Sequence, residues 1–184
     1  MELDKTIKKR KSVRNFKNKK PDWRDIIECV DAARYAPMAG GRYTLKFIII
    51  DDEKAIEKLA EAAQQEFIKE VCYIIIVCSN PGRTIRDFGK RGEIYVRQQA
   101  GATIQNVLLK IEEKGLSTCW VGHFVDEQVK RILGIPDNVQ IEALLPVGYE
   151  FRKTKSKKEI DIDNILYFYK YQNKKMKKIP KMDV

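Results

Sequence analysis

The chain has 184 residues; 43% are hydrophobic, 34% are charged, and the 36 basic side chains outnumber the 26 acidic ones. This composition can build one core and excludes the low-hydrophobicity class of disordered proteins. The apolar run that ends at Cys78 is far shorter than the roughly 20 residues of a membrane span. Residues 1–11 are charged and contain no apolar signal core. We therefore expect a single cytoplasmic domain over residues 1–184, with a basic extension from about residue 153 and no membrane partner.

The net charge of +10 predicts attraction for anions without identifying them. Much of the basic excess lies in residues 5–20 and 153–181. Nucleic acid, nucleotide phosphates and acidic surfaces are all compatible with this charge, and so is a lysine-rich surface that is simply solvated. Composition alone leaves these explanations open.

The first half of the chain alternates helical and strand patterns. Asp22 is a good N-cap, and Ile26 and Val30 repeat at helical spacing until Pro37 disfavours helix in the residue before it. Short β-branched apolar runs predict buried strands. The predicted elements are a helix from Asp22 to about Ala36, a strand at 45–51, a helix at 53–69 and a strand at 71–79, followed by the turn signal Asn80-Pro81-Gly82.

The second half contains the longest helical pattern, over residues 92–114, which Gly115 ends. A strand at 116–124, a short helix at 126–133 and a strand at 140–149 follow. The charged C-terminal extension carries an apolar cluster, which favours docking on a partner chain over free disorder. The whole pattern predicts an α+β or mixed α/β domain with roughly four central strands flanked by helices.

Chemistry-bearing motifs are sparse. His123 is the single histidine, and the four cysteines form no Cys-x-x-Cys pair, so we expect buried reduced thiols and no metal site. The chain has no Walker loop, no Gly-x-Ser-x-Gly and no Gly-x-Gly-x-x-Gly after a strand. We therefore expect no catalytic side chain; if the protein is an enzyme, a cofactor carries the chemistry.

Two basic groups are candidates for binding a phosphate. The first lies within residues 10–14, where guanidinium, ammonium and hydroxyl groups suit a phosphate; the second follows the last predicted strand. They can share one phosphate only if the fold brings them together, and a basic surface turn is the alternative for the first group. The members are Arg10, Lys11, Ser12 and Arg14 in the first group, and Lys155, Lys157 and Lys158 in the second.

Two glycine-containing segments are candidates for contacting a planar ligand. The loop at 36–43 has small residues and paired glycines that let backbone amides approach such a ligand, and Pro37 and Met38 add apolar surface. The segment at 115–123 is an apolar strand that ends near a glycine and can present its amides to a ligand edge. A plain helix-to-strand turn is the alternative for the loop, and Trp120 is interpreted as a core residue.

Taken in order, these segments resemble the FMN-dependent nitroreductase family, from Arg10 to about Lys158. No single stretch is decisive, but five in the right order are specific. The similar stretches are 10–16, which matches the family's opening Arg-Arg-Ser-x-Arg-x-Phe motif, 33–43, which matches its Ala-Pro-Ser-Ala-Gly-Asn loop, 105–109 with 115–122, which match its long helix and next strand, and 133–136 and 144–149, which match its closing elements.

The resemblance implies an α+β sandwich, with a central, mainly antiparallel sheet of four to five strands flanked by helices, in an intertwined homodimer. Two FMN molecules are then expected at the dimer interface. The residues implied for FMN are Arg10, Lys11, Ser12, Arg14, Lys155 and Lys157 at the phosphate and ribityl chain, Pro37, Met38 and Ala39 of the other subunit against the isoalloxazine, and Val121 and Gly122 with backbone amides near flavin N5.

The same resemblance implies an NAD(P)H-dependent FMN oxidoreductase. The expected mechanism is ping-pong: NADH or NADPH reduces flavin N5 and leaves, and a nitroaromatic, quinone or similar small-molecule acceptor takes the electrons. One alternative is a flavin-fold protein that binds FMN or a flavin-like ligand without NAD(P)H turnover. Another is a basic nucleic-acid-binding domain, which explains the charge but neither the loop nor the long helix, so nucleic acid is not the expected partner.

Five positions depart from the family pattern. Met38 stands where many members have Ser, Gly41 where they have Asn, and Tyr43 where they often have Gln; these changes affect side-chain hydrogen bonds to the flavin ring and the substrate pocket. Gln99 replaces an Asp common in the long helix. His123 replaces a small residue and is interpreted as a hydrogen-bonded residue at a strand end, with donation to a substrate as the alternative.

Overall fold

The structure is a computed structural model that describes residues 2–155 and 159–176. Within the described residues, no helix combines the length and the apolar character needed to cross a membrane. In chain order the elements are α1 (Leu3–Lys9), α2 (Trp23–Asp31), β1 (Leu45–Ile50), α3 (Glu53–Ala63), β2 (Tyr73–Ser79), α4 (Gly82–Phe88), α5 (Lys90–Glu113), β3 (Ser117–Thr118), α6 (Asp126–Leu133) and β4 (Gln140–Gly148), with 3₁₀ turns at Ala32–Tyr35, Ala39–Gly41, Glu66–Glu70 and Ile162–Asn164.

The four strands form one antiparallel sheet in the order β1-β2-β4-β3. The central strand β2 is buried along its whole length because helices cover both faces of the sheet. Alternate side chains enter two cores: Ile74 and Ile76 pack with α3 and α6, whereas Ile75 and Val77 pack with α2 and α5. The predicted α+β sandwich with a mainly antiparallel sheet is therefore confirmed.

The long helix α5 covers the second face of the sheet. The helix predicted over 92–114 is confirmed, and its apolar stripe packs on the sheet, because Ile104, Val107 and Ile111 are all at most 1% exposed. The helix begins at Lys90, where α4 ends against it. At Gly92 a Cβ atom would lie 2.6 Å from the carbonyl oxygen of Thr84, so the close approach of the two helices requires glycine.

Three predicted elements have the wrong extent. The helix predicted from Asp22 to about Ala36 ends at Asp31 and is followed by a 3₁₀ turn. The helix predicted over 53–69 ends at Ala63, because Gln64 adopts a left-handed backbone with φ of 53° and a separate 3₁₀ turn follows. The strand predicted over 116–124 is reduced to the two residues of β3, after which the chain leaves the ladder and pairs again only at Val121 with Leu144. The turn at Asn80-Pro81-Gly82 leads into α4, which was not predicted.

A segment near the N-terminus, residues 12–17, joins the sheet without forming a named strand. Ser12 bridges to Thr118 in parallel, and Phe16 bridges to Glu150 in antiparallel orientation. Lys17 N–H donates to the Tyr149 carbonyl at 2.8 Å. This segment, called the N-terminal bridge, therefore ties the start of the described chain to the residues that follow β4.

Candidate functional site

The N-terminal bridge determines which side chains of the basic segment 10–14 face outward. Val13 and Phe16 are buried in the core, and the Val13 N–H donates to the Thr118 carbonyl at 2.9 Å. Because neighbouring side chains of an extended chain point to opposite sides, Ser12 and Arg14 are exposed. The sequence alternation thus presents a hydroxyl and a guanidinium at one surface beside β3.

Lys11 contacts the segment that directly precedes the second predicted basic group. Its Nζ lies 3.0 Å from Glu150 Oε1 and donates to the Thr154 carbonyl at 3.0 Å. Burial acts to raise the pKa of Glu150, but hydrogen bonds from Thr154 and Lys11 outweigh it and the pKa is lowered. The fold therefore brings residues 10–14 and 150–155 together. Lys155 is exposed beside Thr154, and the predicted Lys157, like Lys158, lies outside the described residues.

The charge left available at this surface belongs mainly to two arginines. Within the described residues, neither Arg10 nor Arg14 forms an ion pair, whereas Lys11 is held by Glu150. Thr118 adds a buried hydroxyl that has no hydrogen-bond partner in the same part of the chain. Burial raises the pKa of Glu112, while the nearby charges of Lys9, Lys11 and Arg10 oppose that shift. This donor set suits a phosphate, so the residues present fit an FMN phosphate end.

The second predicted group, Pro37, Met38 and Ala39, lines a pocket of about 200 Å³ together with Tyr95, Gln98 and Gln99 of α5. The adjoining Gly40 and Gly41 have φ values of 56° and 66°, which only glycine adopts without strain. The loop therefore turns tightly and presents its small residues to the pocket.

Gln99 holds the residues that follow this loop through three hydrogen bonds. Its Oε1 accepts hydrogen bonds from Thr44 N at 3.1 Å and from Thr44 Oγ1 at 2.5 Å, and its Nε2 donates to the Arg42 carbonyl at 3.3 Å. Gln99 is only 4% exposed. Gln99 departs from the family pattern, and its role in holding the loop was not predicted. The available signal was a polar side chain on the apolar stripe of the long helix.

The third predicted group, Val121 and Gly122, offers one free amide rather than two. The Val121 N–H already donates to the Leu144 carbonyl at 3.0 Å, so in this structure that N–H is not available to a ligand. Gly122 is exposed, and its N–H has no hydrogen-bond partner within the described ranges. His123 is exposed as well, and the described residues show no hydrogen bond to its ring, so the predicted strand-end hydrogen bond is absent there. Trp120, interpreted as a core residue, is 41% exposed.

Within the described residues, the pocket at Pro37–Ala39 does not include the other two predicted groups. Among the described residues, those lining the pocket at Pro37–Ala39 include none from the basic segment and none from the segment around Gly122. The basic segment lies beside β3, whereas the loop lies against the N-terminal half of α5.

The four cysteines are free, and three of them are buried, whereas Cys72 is half-buried. Burial raises the pKa of Cys29 to about 12 and that of Cys78 to about 11, so these two thiols are poor nucleophiles at neutral pH. Over the described residues, no group of three or more His, Cys, Asp or Glu side chains is arranged to hold a metal ion.

Comparison with known proteins gives a consistent picture. The model of the Nitroreductase family matches residues 7–72 and 64–149. Iodotyrosine deiodinase of Thermotoga neapolitana is 27% identical over 168 residues, covering 77% of this chain and 85% of that protein. An NADPH-dependent oxidoreductase of Staphylococcus aureus is 26% identical over 182 residues, covering 90% and 72%. An FMN-dependent nitroreductase structure from Clostridium difficile shares the fold, with a TM-score of 0.79 at 20% identity over 90% of this chain and 98% of that one.

Proposed function

Since the chain belongs to the nitroreductase family and is thus an oxidoreductase, we propose that it binds FMN and transfers a hydride or electron pair from NADH or NADPH to a small acceptor. The observation that carries the proposal is the convergence at the N-terminal bridge. Two arginines that form no ion pair with any described residue, a serine hydroxyl and a lysine that is bonded to the residues after β4 lie in this part of the fold. This arrangement matches the phosphate end of the cofactor in charge and in hydrogen-bond donors.

Each residue of the phosphate end has a distinct task in this proposal. Arg10 and Arg14 bind phosphate oxygens, since guanidinium groups form bidentate hydrogen bonds to them. Ser12 donates its hydroxyl proton. Lys11 acts as a positioning residue, because its ammonium group is bonded to Glu150 and the Thr154 carbonyl. Lys155 adds charge at the rim.

The flavin ring is proposed to lie between two subunits. Pro37, Met38 and Ala39 of one subunit would cover the ring and exclude water, while the Gly122 N–H of the other would offer a hydrogen-bond donor to it. Two exposed apolar regions support this homodimer. A groove of about 420 Å³ along α5 includes Leu3 and Tyr35, which are 68% and 72% exposed. The C-terminal extension exposes further apolar side chains, namely Ile160, Ile162, Ile165 and Leu166.

FMN held by these residues would supply the hydride and electron-pair chemistry, so no side chain has to act as nucleophile or general acid. The chain's residues hold the donor and acceptor against the ring at contact distance. Positive charge at the phosphate end and the Gly122 N–H favour the negative charge of the reduced state. We propose a conjugated acceptor, such as a nitroaromatic or a quinone. The deiodinase relative adds halogenated phenols to the acceptors worth testing.

The test is the visible spectrum of the full chain, incubated with FMN, desalted, and mixed anaerobically with NADH or NADPH. Retained yellow colour that bleaches on mixing is the expected result. Colour that is retained but does not bleach would refute the nicotinamide donor and leave the alternative of FMN binding without turnover. Protein that is colourless after desalting would refute FMN binding itself.

A double variant tests the assignment of the phosphate end. Replacing Arg10 and Arg14 by Ala removes two charge-assisted donors, which should weaken FMN binding at least about tenfold in a flavin-fluorescence titration. The matched control is Lys54→Ala with Lys58→Ala, which removes two exposed charges from α3. Equal FMN affinity in the two double variants would contradict the assignment.

A further inference from the structure

A second basic surface lies outside the proposed FMN site. It is a cleft of about 520 Å³ between the start of β1, the end of β2 and the helix α4. We call it the basic cleft. Four of its lining residues are cationic and three more are polar, and they are Arg42, Lys46, Arg83 and Arg86 with Thr44, Asn80 and Asn138.

The cations of the basic cleft are largely uncompensated. Arg42 Nε lies 3.1 Å from Asp87 Oδ2. Within residues 2–155 and 159–176, no ion pair involves Lys46, Arg83 or Arg86. The cleft thus concentrates positive charge in a concave site, which raises the local concentration of anions more than the same charges on a flat surface.

Polar groups in the cleft are placed to complement an anion. The side-chain oxygen of Asn80 accepts from Gly82 N–H at 3.3 Å, so its amide N–H₂ is left as the donor. Arg83 and Arg86 are three residues apart on α4 and therefore project from neighbouring turns of one helix face. Guanidinium pairs of this kind suit phosphate oxygens, which accept two parallel hydrogen bonds from each group.

The basic cleft shares a wall with the pocket at Pro37–Ala39. Thr44 and Arg42 line the cleft, Gln99 lines the pocket, and Gln99 is hydrogen-bonded to both of them. The loop that carries Pro37–Ala39 continues directly into Gly41, Arg42 and Tyr43 of the cleft. The cleft therefore adjoins the pocket along the loop at residues 36–43.

We propose that the basic cleft binds the phosphate groups of the dinucleotide electron donor, an inference that rests on the proposed function. Pro37–Ala39 lie against the flavin ring in the proposed function, and the pocket that they line, of about 200 Å³, is smaller than the usual 300–1,000 Å³ of a site for a drug-sized ligand. A whole dinucleotide therefore does not fit there beside the ring. The diphosphate has to lie outside it, and the adjoining cleft supplies the cations and amide donors that this group requires.

Direct binding tests the cleft independently of turnover. The probe is ADP-ribose, which carries the diphosphate without the nicotinamide ring, titrated into the FMN-loaded full chain by calorimetry. Wild-type protein should bind it, and the double variant R83A/R86A should bind at least about tenfold more weakly. The control K54A/K58A, on the opposite face of the sheet, should match wild type. Absence of binding to wild type, or equal affinity in R83A/R86A, would overturn the inference.

Stopped-flow reduction of the flavin gives a second readout. The donors are NADPH and 1-benzyl-1,4-dihydronicotinamide, which has no phosphate. The ratio of their second-order rate constants, NADPH over the phosphate-free donor, should fall at least about tenfold in R83A/R86A; an unchanged ratio would also overturn the inference. If neither NADH nor NADPH reduces the wild-type flavin, the proposed function is refuted. The ADP-ribose titration then still tests whether the basic cleft binds a diphosphate.

Discussion

Replacing Gln99 by Ala tests how the loop at residues 36–43 is held. The substitution removes three hydrogen bonds, two from Thr44 and one to the Arg42 carbonyl. Each contributes about 1 kcal/mol net, and Thr44 is only 7% exposed, so its freed donors have little access to water. We expect the free energy of unfolding to fall by about 3 kcal/mol, the sum of these three contributions.

The assay is urea unfolding of wild type, Gln99→Ala and the control Gln105→Ala, an exposed glutamine on the same helix, at one protein concentration. With a urea m-value of about 2 kcal/mol per molar, a loss of 3 kcal/mol lowers the midpoint by about 1.5 M. Gln105→Ala should stay within about 0.5 kcal/mol of wild type. If the two variants have the same midpoint, the hydrogen bonds of Gln99 do not stabilise the fold and the reasoning is refuted.

Two further predictions concern packing and pH. In Gly92→Ala the new Cβ would lie 2.6 Å from Thr84 O and 2.7 Å from Ile85 Cα. The cost of overpacking, about 3 kcal/mol, exceeds the gain in helix propensity of about 1 kcal/mol, so the melting temperature should fall. A rise in melting temperature would contradict the packing of α4 on α5. Burial raises the pKa of Cys29 to about 12, so above about pH 9 the unfolded chain loses this thiol proton while the folded chain keeps it, and stability falls with rising pH. Cys29→Ala lacks this effect, so the stability advantage of wild type over it should shrink by about 1 kcal/mol between pH 9 and 10; a constant difference in urea unfolding at the two pH values would show that the thiol ionises equally in both states.

Element type was predictable from the sequence where burial and periodicity agree. The strand β2 and the helix α5 both follow from their apolar patterns. The end of α3 was not predictable, because Ile68 in the following 3₁₀ turn is also buried and continues the apolar spacing. Gln64, which ends the helix in a left-handed conformation, is not a residue type that marks such a position. The strand predicted over 116–124 was overextended for a related reason: Cys119 is buried without being paired in the ladder, and hydrophobicity reports burial rather than pairing.

At the candidate site, the types of the binding residues were predictable from the sequence, but the residues that they contact were not. A phosphate-binding function for Arg10 and Arg14 follows from local composition and stays a prediction. The attachment of Lys11 to Glu150 and Thr154 depends on the path of the whole chain, which no local pattern encodes. The basic cleft was missed for the same reason, since its arginines come from segments on either side of β1 and β2.

The contact between Lys11 and Thr154 also bears on the order of folding. These residues are 143 positions apart in sequence, and closing so long a loop is entropically costly, so such contacts form late relative to local ones. During synthesis on the ribosome, residues 10–14 are made early, whereas Glu150 and Thr154, which contact Lys11, are made only after most of the domain. In the proposed function, FMN then binds only after the contact between Lys11 and Thr154 has formed, and it stabilises only that folded state by mass action.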